Sequence, residues 1–180
     1  MVTGLNGGGA RRSRTDELPL LGADGYARLR RDPAGLAFRH RVSIDVVEHL
    51  LDRYGSLATD VLRLTQEEPQ LTRPLAGAPS YLAAEVAYAA RAEGALHLED
   101  ALARRTRISI ETAHRGVESA DETARLMGEV FGWDAARRTR EIDNYVARVE
   151  AERESQTMPD DLTADAARLG APDVRAVPAG

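Results

Sequence analysis

Arg104, Arg105 and Arg107, three arginines within four positions, are the first candidates for chemistry in this sequence. Glu99 and Asp100 precede them, and the β-branched Ile108 and Ile110 follow. On a helix Arg104 and Arg105 point about 100° apart, and Arg107 lies within a turn of Arg104. Guanidinium groups at a helix C-terminus interact favourably with the dipole, and Glu99 and Asp100 suit its N-terminus. The same arginines can also make planar, two-pronged contacts to carboxylate or phosphate. The spacing is compatible with a helix-end feature, a contact across an interface, a ligand contact or plain surface.

Other candidate groups carry less chemistry. His40, His49, His97 and His114 are scattered, with no HExxH and no i,i+4 pair, so no metal site is expected. The chain has no cysteine, which excludes disulfides, thiolate catalysis and Cys-ligated zinc. Ser43, Ser56 and Ser119 lack a GxSxG context and read as helix caps. Gly7-Gly8-Gly9 has no strand before it and no helix after it, as a dinucleotide loop requires. Glu150, Glu152 and Glu154 read as a solvated face. No catalytic constellation and no cofactor-binding motif is complete within these residues. Ser119 to Gly128, then Gly132-Trp133 and Arg137, Arg138 and Arg140, offer a second reading as a DNA-binding helix-turn-helix. Gly128 and Gly132 lie too close for the usual turn, and the net charge of −5 is the wrong sign for a phosphate-binding protein, so no nucleic acid is expected.

The elements that must hold these side chains follow from composition and period. The chain has 180 residues, 43% hydrophobic but only 4% aromatic, and all of its basic residues are Arg, which fits a GC-rich codon supply. A core built from Leu, Val, Ile and Ala favours closely packed helices over a β-sandwich. Short helices are expected at Tyr26–Arg31 and Ala34–Arg39. Ser43 should cap a helix with Ile44, Val47, Leu50 and Leu51 on its inner face, ending at Gly55. Ser56 should cap the next, with the stripe Leu57, Val61 and Leu64. Pro69, Pro74, Gly77 and Pro79 predict an irregular connector. A helix is expected from Ser80 to Ala92, another from Leu98 to Thr106, and an extended piece over Ile108–Glu111. Ser119 and Glu122 match a capping box for a helix whose inner face is Ala120, Ala124, Met127 and Phe131. Asp134 should cap the last helix, with Ile142, Tyr145, Val146 and Val149 inward. The expected fold is all-α: a compact, bundle-like domain of about six to eight helices over 18–155, between a disordered leader (1–17) and a disordered tail (156–180). No apolar run approaches the roughly 18 residues of a membrane span, and the N-terminus lacks a secretory apolar region, so a soluble cytoplasmic chain is expected.

Read in order, LPLLGADGY (Leu18–Tyr26), HLLDRYGS (His49–Ser56), YLAAEVAYAARAEGA (Tyr81–Ala95), LHLEDALARRTRISIE (Leu96–Glu111), HRGVESADETARLMGEVFGWD (His114–Asp134) and YVARVEAERES (Tyr145–Ser155) are each uncommon. Together they make the chain similar to the C-terminal helical domain of FAD-dependent, quinone-linked glycerol-3-phosphate dehydrogenase. The resemblance implies an accessory or cap domain. The family oxidises glycerol 3-phosphate to dihydroxyacetone phosphate and passes electrons through FAD to quinone. FAD and substrate residues are expected in a preceding flavin-binding region, so none transfers to this chain, which alone is expected to be inactive. The implied partner is that flavin-binding catalytic domain, in cis or in trans, with self-association as the alternative when it is missing. Arg104, Arg105 and Arg107 are the implied interdomain surface. The location is then cytoplasmic, or peripheral to the inner membrane through the whole enzyme.

Overall fold

Ser43 does what its position predicts: its hydroxyl accepts from the Val46 amide at 3.3 Å and starts a helix. In this computed structural model, residues 17–171 are described. The chain divides into two compact units, Met1–Thr59 and Asp60–Gly180.

The first unit holds α1 (Tyr26–Leu29), α2 (Pro33–His40) and α3 (Ile44–Tyr54). Asp32 caps α2 by accepting from the Gly35 amide at 2.8 Å, with Pro33 at the first helical position, where a missing N–H costs nothing. Val47, Leu50, Leu51 and Tyr54 form the buried stripe of α3. Ile44, expected on that stripe, is 46% exposed, because the first residue of the helix lies beyond the packed surface. Ser56 caps nothing with its side chain. It lies inside a 3-10 turn, Gly55–Leu57, and its carbonyl accepts from Thr59.

The second unit contains most of α4 (Ala58–Glu67), a two-stranded antiparallel hairpin of β1 (Pro74–Leu75) and β2 (Ala78–Leu82), and α5 (Ala83–Ala92). A π-helix (Asp100–Arg105), α6 (Ile108–Glu111), α7 (Ala120–Phe131), α8 (Ala135–Ser155) and α9 (Asp161–Leu169) complete it. The expected helix from Ser80 therefore begins at Ala83. Residues 78–82 are spent on the hairpin, whose turn uses Gly77 at φ +75. A Cβ there would sit 2.9 Å from the Ser119 amide nitrogen, so the turn presses against the start of α7. Glu85 of α5 is fully buried and accepts from the Leu82 amide at 2.9 Å, closing the strand-to-helix junction.

Three further expectations are corrected in this unit. The 98–106 helix is a π-helix over Asp100–Arg105: the Thr106 amide and hydroxyl both reach the Ala101 carbonyl, five residues back, at 2.9 and 2.7 Å. Ile108–Glu111 is helical rather than extended, because burial of Ile108 overrides the β-branched preference. Ser119 and Glu122 form no capping box. Ser119 Oγ is buried without a hydrogen-bond partner, and Glu122 turns to the hairpin, pairing with Arg73 and accepting from the Ala76 amide at 2.5 Å.

Asp134 caps α8 as expected, accepting from the Arg137 amide at 2.6 Å. Met127 is fully buried and Tyr145 nearly so, whereas Phe131 is 37% exposed, and Ile142, Val146 and Val149 are half-buried. In the segment expected to be a disordered tail, α9 forms with Asp160 as its cap, packs against α8 and buries Ala164. The rest of the expected leader and tail, 1–16 and 172–180, lies outside the described residues. No described helix is long and apolar enough to cross a membrane.

Candidate interdomain face

The π-helix presents Arg104 and Arg105 at its C-terminal end, where carbonyls are left without intrahelical donors. Arg104 is held in place by its own segment, with 2.6 Å contacts to both Glu99 and Asp100. Asp100 also accepts from the Leu96 and His97 amides at 3.1 Å, which pins the loop entering the helix. Arg105 does not bond its own helix end: its Nε donates to the Glu93 carbonyl at 2.8 Å, closing the exit from α5. Arg107 adopts φ +61 ahead of α6 and faces Glu111 at 3.8 Å. All three side chains are exposed. The structure thus places Arg104, Arg105 and Arg107 on one short stretch of surface, each fixed by nearby groups. A guanidinium carries five N–H donors, more than these contacts use.

A second constellation, absent from the sequence reading, surrounds Glu141. Its carboxylate is 1% exposed. Arg137 approaches it at 2.5 Å, His97 Nδ1 at 3.0 Å, and the Leu98 amide donates to it at 3.2 Å. A buried carboxylate persists only when paired and hydrogen-bonded, and here both conditions hold. The Arg137 guanidinium also lies 5.6 Å over the Trp133 ring, which stacks on Phe131 at 5.7 Å. The only signal in the sequence was Arg137 and Glu141 at i,i+4; the partners at 97 and 98 lie more than 40 residues away.

The arginines of the DNA reading do not form one row. Arg137 is drawn to Glu141 and Trp133. The Arg138 stem lies against Gly128, where an added Cβ would meet its Cδ at 3.1 Å, and Arg140 is exposed.

A groove of about 750 Å³ lies on the same unit, lined by Ile110, His114, Val117, Val146, Val149 and Arg153 among others. Its rim includes a left-handed turn: His114, Arg115 and Gly116 have φ of 49°, 52° and 72°. Non-glycine residues in this region cost roughly 1–3 kcal/mol each and persist only where the surroundings enforce them. Tyr145 enforces this one by donating to the Arg115 carbonyl at 2.5 Å, and Arg115 pairs with Glu152 at 2.8 Å. Gly116 has no substitute, since a Cβ would lie 2.5 Å from Ile108 Cγ2. Burial, and then the Glu152 carboxylate, push the Tyr145 hydroxyl well above the ordinary tyrosine range.

Among the described residues, no three of His, Asp and Glu are grouped to hold a metal ion. His114 is exposed at the groove rim, and His97 belongs to the Glu141 cluster.

The chain is 53% identical over 164 residues to glycerol-3-phosphate dehydrogenase 2 of Mycobacterium tuberculosis, covering 91% of this chain and 28% of that protein. It is 51% identical over 163 residues to the glycerol-3-phosphate dehydrogenase of Mycobacterium leprae, again 91% of this chain and 28% of the relative. The Arabidopsis thaliana mitochondrial glycerol-3-phosphate dehydrogenase SDP6 is 29% identical over 140 residues, 71% of this chain and 22% of its own length. No solved structure matches the chain. The family described as the C-terminal domain of alpha-glycerophosphate oxidase matches residues 13–138, across both units. The chain, which spans little more than a quarter of the mycobacterial relatives' length, belongs to that C-terminal-domain family.

Proposed function

We propose that this chain acts as the helical accessory domain beside an FAD-binding catalytic domain of a glycerol-3-phosphate dehydrogenase. That enzyme oxidises glycerol 3-phosphate to dihydroxyacetone phosphate and passes electrons to quinone, as the family resemblance implies. The observation that carries this reading is the alignment of 91% of the chain with only 28% of dehydrogenases that are over half identical to it. In it, these 180 residues supply structure and contact surface, while flavin and substrate are held elsewhere. The exposed Arg104, Arg105 and Arg107 form part of the surface that meets the flavin domain. The location follows the whole enzyme, in the cytoplasm or at the inner membrane's surface.

The test uses the purified 180-residue chain and a separately expressed flavin domain. Alone, the chain is expected to be colourless and unable to support dye reduction by glycerol 3-phosphate; mixed with the flavin domain, it should co-elute with it. Stoichiometric flavin absorbance in the chain alone overturns the division of labour. Arg105→Glu is expected to weaken co-elution, and unchanged binding removes the arginine surface from the contact.

A further inference from the structure

Both phenylalanines and the one tryptophan of this chain lie outside its core. Phe38 is 87% exposed, Phe131 is 37% exposed and Trp133 is half-buried, while the buried aromatics are Tyr54, Tyr81, Tyr88 and Tyr145. Large apolar rings are the side chains whose burial stabilises most, so a place where two of them cluster at the surface is suited to a partner. At the turn between α7 and α8 the display is organised. Phe131 and Trp133 stack with an interplanar angle of 28°, on either side of Gly132 at φ +69. Arg137 lies over the same Trp133 ring and is anchored from below by the buried Glu141.

The contacts continue from there to the arginine face. Arg137 and His97 meet the same Glu141 carboxylate oxygen, the His97 amide donates to Asp100 at 3.1 Å, and Asp100 holds Arg104 at 2.6 Å. Leu96, 59% exposed, sits beside this path. Trp, Phe and Arg are enriched at the centres of protein interfaces, and side chains already fixed before binding lose little entropy when they dock.

We propose that the Phe131–Trp133–Arg137 corner is the anchor of the contact with the flavin-binding domain. Its counterpart there is an apolar patch bordered by carboxylates. The rings supply the desolvated centre, and the positive charges of Arg137 and Arg104 select acidic groups at its edge. This rests on the accessory-domain reading above, and adds to it a location and the chemistry of the partner surface.

Because Trp133 is the one tryptophan, 5-fluorotryptophan incorporated into this chain alone labels that position and nothing else. Adding the unlabelled flavin domain is expected to shift and broaden the fluorine resonance. Calorimetric titration is expected to show affinity falling roughly 30-fold for Trp133→Ala or Phe131→Ala, and roughly tenfold with a shallower salt dependence for Arg137→Gln. Val149→Ala, in the groove, should stay within about twofold of the unaltered chain. If the unaltered chain binds while both ring variants stay within about twofold and the resonance does not move, the corner is wrong and the accessory-domain reading stands. If the unaltered chain does not bind, both fall. A resonance that moves with anionic phospholipid vesicles but not with the flavin domain also overturns the proposal, in favour of a lipid surface.

Discussion

Arg104 and Arg137 both bind carboxylates at i,i+4 spacing, yet the two pairs are built differently. Arg104 meets Glu99 and Asp100 of its own segment, all three partly open to water. Arg137 meets a carboxylate that is 1% exposed and also receives His97 and the Leu98 amide from the far side of the unit. In the first case the charges are local and screened. In the second, one buried acid ties α8 to the loop between α5 and the π-helix. Identical spacing on a helix therefore says little about worth: burial and the number of long-range donors decide it.

Removing the buried acid should separate the two most strongly. Glu141→Ala leaves Arg137, His97 and the Leu98 amide facing a dry gap, and is expected to destabilise by about 3–5 kcal/mol in urea denaturation. A loss below about 1 kcal/mol would place Glu141 in the same class as a surface pair. A middle case is the left-handed turn, where Tyr145 fixes the Arg115 carbonyl across 30 residues of sequence. Tyr145→Phe should cost about 1 kcal/mol at neutral pH, the worth of a typical hydrogen bond.

The same variant has a pH signature. Burial raises the Tyr145 hydroxyl in the folded state, so deprotonation favours unfolding. That contribution is intact below the unfolded tyrosine value of about 10 and is lost as pH rises above it. Tyr88 is raised in the same direction, first by burial and then by Asp60, so the variant should retain part of the alkaline loss. Denaturation midpoints from pH 8 to the alkaline limit, compared between the two chains, check the sign. Smallest of all, Arg104→Ala should change stability by about 0–1 kcal/mol. A cost equal to that of Glu141→Ala would erase the distinction between local and long-range pairs.

Much of the helical scaffold was legible because its signals are local. Ser43 and Asp134 cap as their residue types require, Gly132 ends α7, and Val47, Leu50 and Leu51 recur at helical spacing. Signals that depend on distant chain were misread. Ser119 and Glu122 have the pattern of a capping box, but Glu122 is claimed by Arg73 and Ala76 of the hairpin. Ile108 and Ile110 look like a strand, but burial of Ile108 fixes a helical turn. The hairpin was hidden among Pro74, Gly77 and Pro79, which mark irregular chain as readily as a tight turn. The arginines were visible as a cluster; the surroundings of Glu141 were not, because its partners at 97 and 98 reach it only after folding.

The wide turn at Asp100–Arg105 has a consequence for how this sequence can vary. It contains one residue more than an ordinary helical turn, as the bonds from Thr106 back to Ala101 record. A chain shortened by one residue there could close as a regular helix without disturbing the segments on either side. The flanking segments would keep their register, because the wide turn is where the extra residue is absorbed. Such a lineage would keep its fold and re-aim only the side chains inside the turn, Arg104 and Arg105 among them. Gain or loss of a single codon at this point is thus a change that the fold can absorb locally.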